Sequence, residues 1–128
     1  MRLPGLKWNK LEKMGGAMNK REFGKSGENL AEAYLKQSGY MILFRNYWCR
    51  IGEIDLIAQK DDCVHFVEVK TRSGDFYGRP SESVTLRKLH KMRLAAEHYM
   101  KAAAGMPGLG RKMQFDVIEI ELRHTENI

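Results

Sequence analysis

Between Ser26 and Gln37 apolar side chains fall at Leu30, Ala31, Tyr34 and Leu35, while Glu32, Lys36 and Gln37 face away. That spacing predicts one amphipathic helix, closed by Gly39 as the residue beyond its C-terminus. Residues 40–46 are apolar without helical period and read as a strand, followed by a turn at 49–52 and a second strand over 53–59. Lys60, Asp61 and Asp62 make a tight polar turn into a third strand, residues 63–70, rich in β-branched and aromatic side chains. The second and third strands are expected to form an antiparallel hairpin. Gly74, Gly78 and Pro80 mark residues 71–80 as a loop. A long helix over 83–104 shows Leu86, Leu89, Met92, Ala96, Tyr99 and Met100 on one face and is ended by Gly105 and Pro107. Residues 113–121 alternate as a last strand, and the tail frays from His124. The predicted order is α-β-β-β-α-β, a single α/β domain with one mixed sheet flanked by helices.

Composition narrows the partners. With 128 residues and 43% hydrophobic content, the chain has material for one ordinary core and no second domain. Lys and Arg number 22 against 16 Asp and Glu, a formal charge of +6 that favours polyanions through counterion release. Most of that excess lies in the first 25 residues, where Arg2, Lys7, Lys10, Lys13, Lys20, Arg21 and Lys25 face only Glu12 and Glu22. Residues 1–22 are therefore expected to be a mobile basic arm, either a solvated tail or a nucleic-acid contact, followed by a domain at 23–122 and a tail at 123–128. Cys49 and Cys63 have no zinc-ligand spacing and suggest no disulfide framework. No run approaches a membrane span, and the N-terminus lacks the apolar stretch of a signal peptide, so a cytoplasmic location is expected.

The candidate chemistry lies on the hairpin. Asp55 stands in GEIDLI and Glu68 and Lys70 in VEVK. Residues two apart in a strand share a face, so Glu68 and Lys70 project together, and a hairpin partner brings Asp55 beside Glu68. Two carboxylates among apolar neighbours repel unless a cation or hydrogen bonds compensate, and Mg²⁺ or Mn²⁺ is the economical solution. Such a cation can stabilise charge on a phosphodiester, with a lysine ammonium orienting the attacking water. Glu28 opens the helical pattern, where its carboxylate either favours the helix dipole or joins the site. Glu53, two residues from Asp55, is either a further ligand or an edge carboxylate. Arg72, Arg79 and Lys88 are candidates to grip phosphates at the rim, against the alternative of solvated charge. His65 alternates away from Glu68 and reads as a packed histidine. Tyr47 and Trp48 either stack on unpaired bases or anchor a loop.

The runs GKSGENLAEAYLKQSGY, RNYWCRIGEIDLIAQ and HFVEVKTR, followed by a Gly-containing loop and a helix carrying Lys88, resemble the YraN-like (UPF0102) family over residues 23–121. That family is regarded as a relative of archaeal Holliday junction resolvases within the restriction-endonuclease-like PD-(D/E)XK fold. The resemblance implies Glu28, Asp55, Glu68 and Lys70 as an active-site set, with Asp55 and Glu68 on Mg²⁺ or Mn²⁺. It implies an endonuclease on nucleic acid, DNA before RNA, with branched or damaged DNA as candidate substrates. A resolvase-like role would need a symmetric homodimer. The competing expectations are a non-catalytic nucleic-acid-binding protein of the same fold and an interaction protein whose carboxylates are merely salt-bridged.

Overall fold

The computed structural model describes residues 20–73 and 85–128. In chain order these form α1 (Lys20–Gln37), β1 (Met41–Cys49), β2 (Gly52–Lys60), β3 (Cys63–Ser73), α2 (Leu86–Ala102) and β4 (Lys112–Leu122). The strands lie side by side in the order β1-β2-β3-β4. The first three pair antiparallel, and β4 runs parallel to β3. A parallel neighbour requires a crossover, and the segment containing α2 supplies it. The described residues thus form a mixed α/β fold with an open four-stranded sheet and two helices.

Each helix closes one core. Ile54, Ile57, Val64, Phe66, Ala95, Ala96 and Tyr99 pack between the sheet and α2. Ala31, Leu35, Leu56, Ala58 and Val67 pack beneath α1 on the other face. Among the described residues, no helix is long and apolar enough to cross a membrane. Both cysteines are free thiols.

α1 begins six residues before the expected Ser26, and its apolar face is turned. Ala31 and Leu35 are buried, but Leu30 and Tyr34 are both 60% exposed. The helix rests instead on the i, i+4, i+8 ridge Gly27, Ala31 and Leu35, whose small first member permits close approach. A Cβ built on Gly27 would lie 1.8 Å from the Thr71 Cγ2. This rotation leaves Glu32, expected to face away, half-buried and paired with Arg45 at 3.0 Å. The C-terminus closes as anticipated, with Gly39 at φ 90°. Its N–H donates to the Lys36 carbonyl at 3.1 Å and the Tyr40 N–H to the Leu35 carbonyl at 2.9 Å, a Schellman motif.

All four strands exceed their expected lengths, β2 and β4 by one residue at each end. β1 runs on to Cys49, and β3 continues through Thr71, Arg72 and Ser73, read from sequence as loop, because β4 pairs with it along all eleven residues. α2 starts after the N-cap Thr85, whose side chain accepts from the Lys88 N–H. Leu86, assigned to its apolar face, is 87% exposed in the first turn, ahead of the sheet contact made by Met92, Ala95, Ala96 and Tyr99. Most of the basic arm (residues 1–19) and Arg79, with the rest of 74–84, lie outside the described residues.

The β1–β2 ladder shifts register between Ile42 and Phe44, and a second irregularity follows it. Arg45 pairs with Leu56 and Tyr47 with Ile54, which puts Asn46 opposite Asp55. Asn46 has φ 51°, a left-handed conformation that asparagine tolerates better than most residues. On β2, Ile54 belongs to the α2-side core and Leu56, two residues on, to the α1-side core. Period-two alternation therefore fails at Asp55. The β2–β3 ladder ends one step away, at Leu56 and Val67.

Candidate active site

Where that ladder ends, side chains take over. The Val69 N–H donates to the Asp55 Oδ2 at 2.8 Å, so the aspartate does on β3 what a backbone carbonyl would otherwise do. Asp55 is also hydrogen-bonded to the Glu68 side chain. Burial is the main influence on Asp55; the Val69 N–H opposes it, and the charges of Glu68 and Glu28 reinforce it, leaving the carboxyl pushed up to about 7. A carboxylate with so little compensation is poised to accept a cation.

Glu68 is only 6% exposed but well supplied with charge. Lys70 Nζ stands 3.2 Å from its Oε1. Lys88 Nζ, from the first turn of α2, donates to the same oxygen. Burial alone would lower the Lys88 pKa, but its hydrogen bond to Glu68 and the charges of Glu68 and Asp55 hold it above the ordinary lysine value. Lys88 is thus a member of the carboxylate cluster itself, closer in than the rim position expected from sequence. Arg72 stands two residues past Lys70 on β3, level with Glu121 on β4.

Glu28 reaches the cluster from the other face. It lies two turns inside α1, so a role at the helix start is removed. Burial raises its pKa above the usual carboxylate range; a hydrogen bond from Asn46 and the charge of Arg45 oppose this, and Glu53 and Glu68 add to it. Two consecutive β1 residues hold this stretch of helix. Arg45 bonds Asn29 at 2.6 Å and Glu32 at 3.0 Å, while Asn46 bonds Glu28. Consecutive strand residues ordinarily face opposite ways, and the left-handed φ at Asn46 lets both serve α1. Sequence reasoning missed Asn46; its only signal was an asparagine inside an apolar strand.

Gly52, Glu53, Asp55, Glu68, Lys88, Lys91 and Met92 line a cleft of about 220 Å³. Glu53, exposed at its mouth, fits an edge carboxylate better than a buried ligand. His65 is apart from this cleft, packed edge-on to Tyr40 and 2.6 Å from the Asp116 Oδ2. A larger hollow follows Glu32, Lys36 and residues 40–45, and contains none of the site carboxylates.

Chemically, the cleft offers two adjoining carboxylates, one half-buried and one buried, and two ammonium groups. Val69 occupies one oxygen of Asp55 and the lysines one oxygen of Glu68, leaving one oxygen of each outside these bonds. Among the described residues, no three His, Cys, Asp or Glu side chains form a ready cage for a metal. Two hard carboxylates, with water and substrate completing the shell, fit the way Mg²⁺ is held.

Fold and site define a mixed α/β protein with an acidic, lysine-flanked cleft where its sheet splits. The model of the family described as "Uncharacterised protein family UPF0102" matches residues 27–120, and the chain belongs to that family. It is 46% identical over 110 residues to a UPF0102 protein of Clostridium acetobutylicum, covering 86% of this chain and 87% of the relative. A UPF0102 protein of Caldicellulosiruptor saccharolyticus is 43% identical over 103 residues, 80% and 85% of the two chains. One of Chloroherpeton thalassium is 48% identical over 104 residues, 81% and 78% of the two.

Proposed function

We propose that this protein is a restriction-endonuclease-like, Mg²⁺- or Mn²⁺-dependent nuclease that hydrolyses phosphodiester bonds in DNA. The observation that carries the reading is the contact between the half-buried Asp55 and buried Glu68 carboxylates, with Lys70 and Lys88 on the same glutamate and a cleft opening onto them. Asp55 and Glu68 would hold the cation, which when bound supplies positive charge to the phosphodiester and eases deprotonation of the attacking water. Lys70 and Lys88 both hold Glu68 by its Oε1 and so orient it, and each has donors to spare for a phosphate oxygen. Glu28, held by Asn46, adds a third carboxylate on the α1 side that orients the attacking water. Arg72 and Arg79 supply cationic charge to flanking phosphates.

A second reading rests on the same lysines. Glu68 is already neutralised by two ammonium groups, so a non-catalytic nucleic-acid-binding protein is also self-consistent. Labelled single-stranded, duplex, flapped and four-way DNA incubated with Mg²⁺ or Mn²⁺ separates the two. The nuclease reading expects cleavage by wild type and at least ~10²-fold slower cleavage by Asp55→Asn, with most nucleic-acid binding retained. Equal rates for the two proteins, or no cleavage and no Mn²⁺ response requiring Asp55, leave the binding protein. Sedimentation with four-way DNA tests for the symmetric homodimer that a resolvase-like role needs.

A further inference from the structure

Trp48 is 71% exposed, a large cost in unburied apolar surface for a residue paired near the turn of a hairpin. Its neighbours Tyr47 and Cys49 both face the α2-side core, so the indole lies on the opposite face. The two aromatics that the sequence left equivalent are thereby separated. Tyr47 is a structural anchor, with its hydroxyl on His98 Nδ1 and its ring edge-on to Phe44 at 5.3 Å and Tyr99 at 5.2 Å. Among the described residues, no such ring packing accounts for Trp48.

Its position points to the cleft. Trp48 is the register partner of Glu53, a residue of the cleft lining, which makes Asp55, two positions along β2, its diagonal neighbour across the strands at roughly 7–8 Å. That separation is within the reach of one nucleotide. Exposed Arg50 follows in the hairpin turn. An exposed aromatic face beside a cation and diagonal to Asp55 matches the needs of a base with its backbone phosphate. A base inside a continuous duplex already has both faces stacked, so only an unpaired or splayed base can use the indole.

We propose that Trp48 is a stacking platform for an unpaired nucleobase, which makes the cleft prefer nucleic acid with a single-stranded or splayed nucleotide over continuous duplex. The inference relies on the nuclease reading for what happens in the cleft, but base stacking is measurable without cleavage. The chain has two tryptophans, Trp8 and Trp48, so Trp8→Phe leaves Trp48 as the single indole reporter. In EDTA, with no divalent cation to support hydrolysis, this full-length variant is titrated with a single-stranded oligonucleotide and with the same sequence as duplex. Indole fluorescence is expected to be quenched by the single strand and little changed by the duplex. In parallel, with binding followed on labelled DNA, Trp48→Ala is expected to weaken single-strand binding about 10-fold or more, with duplex affinity within about twofold. Trp48→Phe should recover most of the loss, and melting temperatures should show all variants folded. Equal loss on single strand and duplex overturns the proposal. So does unchanged single-strand affinity, including the case in which Trp48→Ala alters only the sedimenting species and the indole serves contact between copies. Failure to cleave in the presence of Mg²⁺ would instead count against the nuclease reading and leave these binding results standing.

Discussion

At the scale of the residue, Asp55 holds the most consequential conflict. Its ordinary pKa of 3.8 is pushed up to about 7, first by burial and then by Glu68 and Glu28. Between those values the folded protein keeps a proton that the unfolded chain has released. Stability in EDTA therefore falls as pH rises through this window, with a slope from this group of at most about 1.4 kcal/mol per pH unit. Above about 7 its contribution is constant and unfavourable. Asp55→Asn keeps an acceptor for the Val69 N–H and gains a donor for Glu68, so it should be more stable than wild type at pH 8 by roughly 1–3 kcal/mol. Urea denaturation at pH 5 to 8 checks both statements; identical slopes for the two proteins would show that Asp55 is not the titrating group. Added Mn²⁺ should stabilise wild type and not the variant, by mass action on the folded state.

At the scale of the element, the site depends on how closely α1 approaches the sheet. Gly27 makes that approach possible, and Glu28 follows it directly in the chain. Since a Cβ at Gly27 would stand 1.8 Å from Thr71 Cγ2, Gly27→Ala must push the helix away or turn it. The overpacking should cost about 1–3 kcal/mol despite the better helix propensity of alanine. Chemical denaturation gives the stability change. Combining the substitution with Thr71→Ser, which removes the opposing methyl, should restore part of it; no restoration would place the strain elsewhere. Because the same shift would carry Glu28 away from Asn46, any cleavage activity should fall more in Gly27→Ala than its unfolding at assay temperature explains.

At the scale of the whole molecule, charge and site are separate features. The cleft is built from residues between Glu28 and Met92, whereas Arg2, Lys7, Lys10 and Lys13 precede the described structure. If the N-terminal cations contact phosphates, deletion of residues 1–19 should lower the slope of log affinity against log salt on duplex DNA by up to about 3–4, since each neutralised phosphate contributes about 0.9. Affinities at several salt concentrations for full-length and truncated protein measure it. An unchanged slope would assign the electrostatic contact to the folded domain.

Much of this protein was legible in one dimension because period-two and period-3.6 patterns report burial directly. The order α-β-β-β-α-β, the Asp61-Asp62 turn and the Gly39 helix stop each follow from local chemistry. So does the shared face of Glu68 and Lys70, which needs only the strand period. Local patterns were silent wherever a distant segment decided the outcome. Residues 71–73 are strand because β4 lies beside them, and Leu30 and Tyr34 are exposed because the Gly27 ridge fits more closely against Thr71. Glu28 became a helix-interior residue once α1 extended to Lys20. The meeting of Asp55 with Glu68 follows from the hairpin register expected from sequence, whereas the left-handed turn of Asn46 toward Glu28 is something no periodicity rule anticipates. Lys88 enters the cluster because the crossover sets the first turn of α2 over the end of β3. Sequence alone determined the elements and most of the reactive side chains. Tertiary structure decided which of them share one small volume, because the free energy of a buried carboxylate depends on neighbours that are distant in the chain.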